Sequence, residues 1–217
     1  VVSLCGMLQP RALRYRGLKK RLVWWWFQHD ILAQAAGIHA KSIQEAEDAQ
    51  AFGARWPARV IPNPVDQPSA ETIRQAHGVR ARWNLPNGYR YLLYLGRLHP
   101  VKGITQLIDA VCALSAVAGC IPWRLLVAGP DEGHLREGLV RKLREQGCAE
   151  RVLWLGSVNE VEKWALLDLA ACLVAPSLFE NFGLAIAEAL MAGKPVVTTT
   201  GTPWNTLVTA RAGWQVA

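Results

Sequence analysis

The stretch Cys172-Leu-Val-Ala-Pro-Ser-Leu-Phe-Glu-Asn-Phe-Gly-Leu-Ala-Ile-Ala-Glu-Ala-Leu-Met-Ala-Gly193 decides the fold. Cys172–Ala175 is a short apolar run of strand type, and the loop after it carries Glu180. From Phe182 to Gly193 the only charge is Glu188. A helix that is apolar all round is a buried helix, and a carboxylate inside it is costly unless something hydrogen-bonds to it. No Lys or Arg lies one turn away, so its partner is expected to be distant in sequence or part of a ligand. Two carboxylates around a strand-to-helix turn suit a polyhydroxyl ligand.

The same alternation runs through the chain around this stretch. A helical segment is expected over 70–84, then strand 90–95 and a helix with Ile104, Leu107, Ile108, Val111 and Leu114 at the 3.6-residue period. Strand 124–128, helix 133–146, strand 151–155, helix 160–170, strand 172–175, helix 183–192 and strand 195–198 follow. Apolar strands alternating with helices predict an α/β fold of Rossmann type, with a parallel sheet covered on both faces. Every strand-to-helix loop then lies on one edge, where open α/β sheets bind ligands.

Upstream the pattern is weaker. A helix is expected over 17–36 and a strand over Ile38–Lys41. Ser42 with Glu45 in the capping-box position opens a helix to about residue 52. Arg59–Ile61 reads as a strand. Pro62, Pro64 and Pro68 stiffen the connection that follows. The expected division is residues 1–66 and residues 67–217. The chain opens at Val1 without Met and ends in a strand-like run, so it is expected to be a piece of a longer protein.

Strand 90–95 leads into Gly96-Arg-Leu-His-Pro-Val-Lys-Gly103. Arg97 can grip a phosphate with two parallel donors and Lys102 adds a compact charge. Backbone N–H groups at the helix start near Gly103 also favour anions. The loop fits a diphosphate, yet it is neither GxxxxGK[ST] nor GxGxxG. On the other loop, Asn181, Phe182 and Gly183 present N–H groups at a second helix start. The plainer alternative makes Glu180 a helix-start acid favoured by the dipole and Glu188 a satisfied buried acid.

Composition narrows the class. With 217 residues and 51% apolar content, the chain has ample material for a core. No apolar run is long enough to cross a bilayer as a helix. Five cysteines with no CxxC pair read as reduced thiols of a cytosolic protein. Part of the net charge of +7 is local: Arg11, Arg14, Arg16, Lys19, Lys20 and Arg21 lie together with no acid among them. That run is followed by Trp24, Trp25, Trp26 and Phe27, which suits a helix packing its aromatics inward or, as the alternative, a peripheral contact with a membrane surface. No nucleic-acid motif, zinc cluster or Asp-x-Asp metal motif occurs, so neither nucleic acid nor a metal is expected.

Glu180-x7-Glu188 within Pro176–Leu190 resembles the signature of retaining, nucleotide-sugar-dependent glycosyltransferases of family 4. Gly96-Arg97 with Lys102-Gly103 is similar to that family's phosphate loop. Leu126-Val-Ala-Gly-Pro130, Val152-Leu-Trp-Leu-Gly156 and Lys194-Pro-Val-Val197 match it in order and spacing. Ala40–Ala46 and Val60–Asp66 look like the end of the family's first domain and its linker, except that Pro64 stands where the family usually has Gly. The resemblance implies the glycosyltransferase B architecture, two facing Rossmann-like domains. This chain would supply the tail of the first, acceptor-binding domain and a truncated second, donor-binding one.

The resemblance also implies roles. Arg97 and Lys102 would hold the diphosphate, and Glu180 would face the donor-sugar hydroxyls. Asn181, Phe182, Gly183 and Leu184 would lie near sugar or phosphate, and Glu188 would bind the ribose. Gly96, Gly129 and Pro130 would line the site, with Val158 beside the base. The donor would be a nucleoside-diphosphate sugar used without metal or cofactor, and the acceptor a glycan or lipid-linked hydroxyl in lipopolysaccharide or exopolysaccharide synthesis. The piece alone would be inactive. Rival readings are a non-catalytic nucleotide-sugar-binding module completed by a partner chain, an unrelated Rossmann-like domain, and an epimerase-type enzyme.

Overall fold

The computed structural model describes residues 1–8, 26, 29–51, 58–76, 82–117 and 121–217. The basic run 11–21 and the aromatics at 24, 25 and 27 lie outside the described residues, as does most of the helix expected over 17–36. The chain divides into two units. One is Val1–Pro64 with Phe179–Gly183, the other Val65–Leu178 with Leu184–Ala217.

In the first unit, β1 (Val2–Ser3), β2 (Ile38–Ala40) and β3 (Ala58–Val60) form a parallel three-stranded sheet in that order. Helix α1 (His29–Ala33) precedes β2, and α2 (Ile43–Ala51) links β2 to β3. Ser42 does cap α2, its Oγ accepting the Glu45 N–H at 3.2 Å. The reciprocal half of the expected capping box is absent. The Glu45 carboxylate instead accepts the N–H of Gly6 at 2.5 Å and of Lys41 at 2.6 Å. It is 1% exposed, and a buried carboxylate is drawn to donors that water cannot replace. Strand β3 begins and ends one residue early, because Ile61 already leaves the sheet while its N–H still reaches the Ala40 carbonyl at 2.9 Å.

The second unit opens with α3 (Ala70–Ala76), and residues 77–81 of the helix expected there lie outside the described residues. Then come β4 (Arg90–Leu95), α4 (Ile104–Ser115), β5 (Trp123–Ala128), α5 (Arg136–Glu145), β6 (Val152–Gly156), α6 (Glu160–Leu169), β7 (Cys172–Ala175), α7 (Leu184–Met191), β8 (Val196–Thr199) and β9 (Gly213–Val216). All six strands are parallel, in the order β6-β5-β4-β7-β8-β9.

Alternation along the strands divides the core. Tyr91 and Leu93 of β4 and Leu126 and Ala128 of β5 pack with Trp164, Leu166 and Leu167 of α6 and Ile186 and Ala189 of α7. Tyr94, Leu125 and Val127 pack on the other face, with Ile104, Ile108 and Val111 of α4 and Leu139 and Leu143 of α5. Both faces are covered, which is why these strands read as continuous apolar runs.

Helix starts differ from expectation by one to three residues, for local reasons. Helix α5 begins at Arg136, because Asp131 accepts the N–H groups of Leu135 and Arg136 and Gly133 N–H is tied to the Leu98 carbonyl. Helix α7 begins at Leu184, because Gly183 has φ +84°, outside the helical region. That helix is also less enclosed than its composition suggests. Ile186, Glu188 and Ala189 are buried, whereas Leu184 and Met191 at its ends are exposed.

Candidate functional site

The sheet order fixes where a site can form. The chain steps from β4 to β5 to β6 in one direction, then returns to lay β7 on the other side of β4. Loops leaving adjacent strands at such a reversal diverge and leave a crevice at the carboxyl ends. The two loops concerned are the ones after Leu95 and after Ala175, which carry the basic motif and the start of the paired-carboxylate motif.

Within the second unit these loops are held by backbone contacts. Gly96 N–H donates to the Ala128 carbonyl at 2.9 Å, and Leu98 N–H to that of Pro130 at 2.8 Å. Gly129 N–H reaches the Gly156 carbonyl at 2.7 Å, and Leu178 N–H that of Val101 at 2.9 Å. So the loops after β4, β5, β6 and β7 are stitched side by side. Two glycines permit the close approach. A Cβ on Gly129 (φ +144°) would lie 2.0 Å from the Gly96 oxygen. One on Gly103 (φ +69°) would lie 1.9 Å from the Pro176 oxygen.

Arg97 is exposed on this platform. Its Nη1 pairs with Glu132 Oε2 at 2.6 Å, and its carbonyl accepts the Tyr94 hydroxyl at 2.7 Å. Lys102 is half-buried and closes a 3-10 turn over Pro100–Lys102. His99 caps that turn, its Nδ1 accepting the Val101 N–H at 3.2 Å. Gly103 caps α4 without a side-chain hydrogen bond, so the first turn of α4 meets the loop through backbone alone. This is the arrangement that favours an anion: two cationic side chains beside a helix N-terminus. Pro130 is exposed, while Gly129 and Val158 are half-buried, Val158 against the core under α6 and α7.

Glu188 is 7% exposed on α7. Its partner is distant in sequence, as the missing local cation required: Lys163 Nζ on α6 reaches Oε1 at 2.6 Å. Lys163 also meets Glu160 Oε2 at 2.8 Å. Burial disfavours its charge, but the hydrogen bonds it donates to Glu160 and then Glu188 outweigh that and leave it raised above the ordinary lysine range. Glu160 is lowered, chiefly by its hydrogen bond to Lys163.

The sequence motif is divided between units. Leu184 and Glu188 belong to the second unit, whereas Glu180, Asn181, Phe182 and Gly183 cluster with the first. There Glu180 is half-buried. Asn181, with its amide turned to donate, reaches the Glu45 carboxylate oxygens at 3.0 and 3.2 Å.

Sequence reasoning missed three residues. Glu132 pairs with Arg97 across 35 positions, and no spacing rule finds it. Glu45 has the spacing of a local cap, which hides its contacts with the Gly6 and Lys41 N–H groups. Lys163 had a usable signal: Asn159-x-x-Glu162 forms a complete capping box, which fixes the start of α6 and puts Glu160 and Lys163 on one face.

Comparison with known proteins identifies relatives of the chain. Glycogen synthase of Mycobacterium tuberculosis (strain CDC 1551 / Oshkosh) is 36% identical over 124 residues, covering 54% of this chain and 29% of that protein. The solved sucrose-phosphate synthase of Thermosynechococcus elongatus superposes with a TM-score of 0.73 at 25% identity, over 97% of this chain and 52% of that one. Anabaena HepE, solved in complex with UDP and glucose, gives 0.69 at 23% identity, over 93% of this chain and 53% of that one. The chain thus spans about half of these structures and less than a third of the glycogen synthase. The fold is that of the glycosyltransferase B architecture. The family model described as glycosyl transferases group 1 matches residues 78–213, more than half of the chain, and the chain belongs to that family.

Proposed function

We propose that the second unit is the donor half of a retaining glycosyltransferase that moves a sugar from a nucleoside diphosphate to a hydroxyl. One observation carries the reading. The strand reversal between β4 and β7 brings a loop with Arg97 and Lys102 to the edge from which the helix bearing Glu188 departs. Arg97 and Lys102, with the N-terminus of α4, meet the diphosphate. As the glycosidic bond breaks, negative charge grows on the leaving phosphate, and fixed positive charge there lowers the barrier. Glu188 accepts the ribose hydroxyls and Val158 lies beside the base; Glu180, which clusters with the first unit, is assigned the donor-sugar hydroxyls by the Glu180-x7-Glu188 resemblance alone. Gly96, Gly129 and Pro130 form the floor, where any side chain at position 129 would close the gap to Gly96.

In this reading no metal is needed, because the cationic loop neutralises the diphosphate. Support for a nucleotide-sugar donor also comes from Anabaena HepE, solved with UDP and glucose. Retention and membership of family 4 follow from the Glu180-x7-Glu188 resemblance. The acceptor is a glycan or lipid-linked hydroxyl of a surface polysaccharide at the cytoplasmic face of the membrane, a reading supported by the Arg- and Trp-rich segment over 11–27. Among the described residues no helix is long and apolar enough to cross a membrane. The test is release of nucleoside diphosphate from UDP-, GDP- and ADP-sugars in the presence of EDTA and acceptor, by a protein in which this chain is joined to an acceptor-binding half, with the anomeric configuration of the product read by NMR. Metal-independent release with retention is expected. Release that stops with EDTA, or an inverted product, overturns those parts of the reading.

A further inference from the structure

Lys163 is built into the second unit more firmly than a surface lysine. Its side chain is 18% exposed. The first turn of α6 holds it in place. Glu160 lies 2.8 Å from Nζ, and the Trp164 ring sits below with its centroid 5.3 Å away. Trp164 is itself fixed, its Nε1 donating to Glu160 Oε1 at 2.7 Å. From this mount the ammonium is offered to α7, where it meets Glu188 Oε1 at 2.6 Å. Among the described residues, Lys163 is the one side chain that meets the Glu188 carboxylate, and it does so at a single oxygen.

That asymmetry has a chemical use. A carboxylate offers about four acceptor positions and no donor. With Oε1 clamped the group cannot rotate, so the lone pairs of Oε2 have a set direction. A vicinal diol needs such a fixed acceptor, because two adjacent hydroxyls must both be aligned. A freely turning carboxylate would lose rotational freedom on binding, which weakens association. Truncating the lysine would also leave Glu188 buried without its cation, free to turn or to be drawn elsewhere.

We propose that Lys163 is a positioning residue for ribose recognition, clamping Glu188 Oε1 so that Oε2 is kept for the 2′- and 3′-hydroxyls of a nucleoside diphosphate. The inference rests on the donor reading above and deepens it. Lys163 does not touch the nucleotide; it acts through Glu188.

The test is calorimetric titration of the protein with UDP, GDP and ADP and with their 2′-deoxy counterparts. It is run on the wild type, K163M, K163R and the double variant K163M/E188Q. The wild type is expected to prefer one ribonucleotide over its deoxy form by roughly tenfold, the loss of a charge-assisted hydrogen bond. K163M loses that preference, because it weakens the ribo form, which presents both hydroxyls to Oε2, more than the deoxy form, which presents only the 3′-hydroxyl. K163R keeps most of it, and adding E188Q to K163M changes little further, as expected for two residues acting as one unit. A K163M protein that keeps the ribose preference, or weakens ribo and deoxy forms alike, overturns the inference alone. A wild type that binds diphosphates without ribose preference also overturns it and leaves the diphosphate site standing. A wild type that binds none of them overturns the donor reading itself, and the role of Lys163 with it.

Discussion

At the residue scale, Arg97 has two competing demands. Its guanidinium now pairs with Glu132, and both side chains are about half exposed. An exposed pair of this kind contributes roughly 0.2–1 kcal/mol, whereas a charge-assisted hydrogen bond to phosphate contributes about 1.5–3 kcal/mol. The phosphate therefore wins, and Glu132 acts as a weak brake. Arg97→Ala is expected to lower donor affinity by roughly ten- to a hundredfold, and Glu132→Gln to raise it by about two- to fivefold. Calorimetry with the preferred nucleoside diphosphate checks both. An Arg97→Ala protein with unchanged affinity removes Arg97 from the site. Cys148 illustrates the opposite case, a group sealed away. It is 2% exposed, with its Sγ 3.4 Å from that of Cys112. Burial, and then the hydrogen bond with Cys112, push its thiol up to about 11. Iodoacetamide at pH 8 should label the exposed Cys5 and spare Cys148 until the chain unfolds. Equal labelling rates in the native protein would contradict the burial.

At the element scale, backbone approach between loops matters more than any side chain. Gly103 is positive in φ and its missing Cβ accommodates the Pro176 carbonyl. Gly103→Ala combines left-handed strain of about 1–2 kcal/mol with a contact that forces the β4 and β7 loops apart. A stability loss above about 2 kcal/mol is expected in urea unfolding. Gly138 in α5 is the control, with open space around its would-be Cβ. Gly138→Ala should stabilise by about 0.5–1 kcal/mol. If both variants unfold alike, the close approach of the two loops is wrong. Titration adds a second handle on the packing. The raised pKa values of Cys148, Cys172 and Lys163 act in one direction. A folded-state pKa above the unfolded one supplies stability that is complete below the unfolded value and fades as pH rises through the folded one. The urea midpoint should therefore fall as pH climbs from 9.0 toward about 11, the window set by Cys148. A midpoint that rises over that range would contradict the sign.

At the scale of the whole molecule, the sheet from β4 to β8 was readable in the sequence because both of its faces are buried. Runs such as Tyr91–Leu95 and Leu125–Ala128 have no polar face to blur them. The positions of Arg97, Lys102 and Glu188 on that sheet followed from the same alternation. What could not be read were pairings set by tertiary contact. Glu45 closes on Gly6 across 39 positions, and Lys163 reaches Glu188 across 25. Local spacing instead suggested a capping box for Glu45. The assignment of Phe179–Gly183 to the first unit was equally hidden, since the segment is continuous with α7 in sequence.

A donor site on the edge where β4 and β7 part is most directly tested by titrating the protein with UDP, GDP and ADP in EDTA. The same titration is run on Arg97→Ala and Glu188→Ala. Micromolar to millimolar binding selective for one base, and weakened in both variants, is the predicted result. Wild-type binding that neither substitution changes would place the nucleotide elsewhere and contradict the site described here.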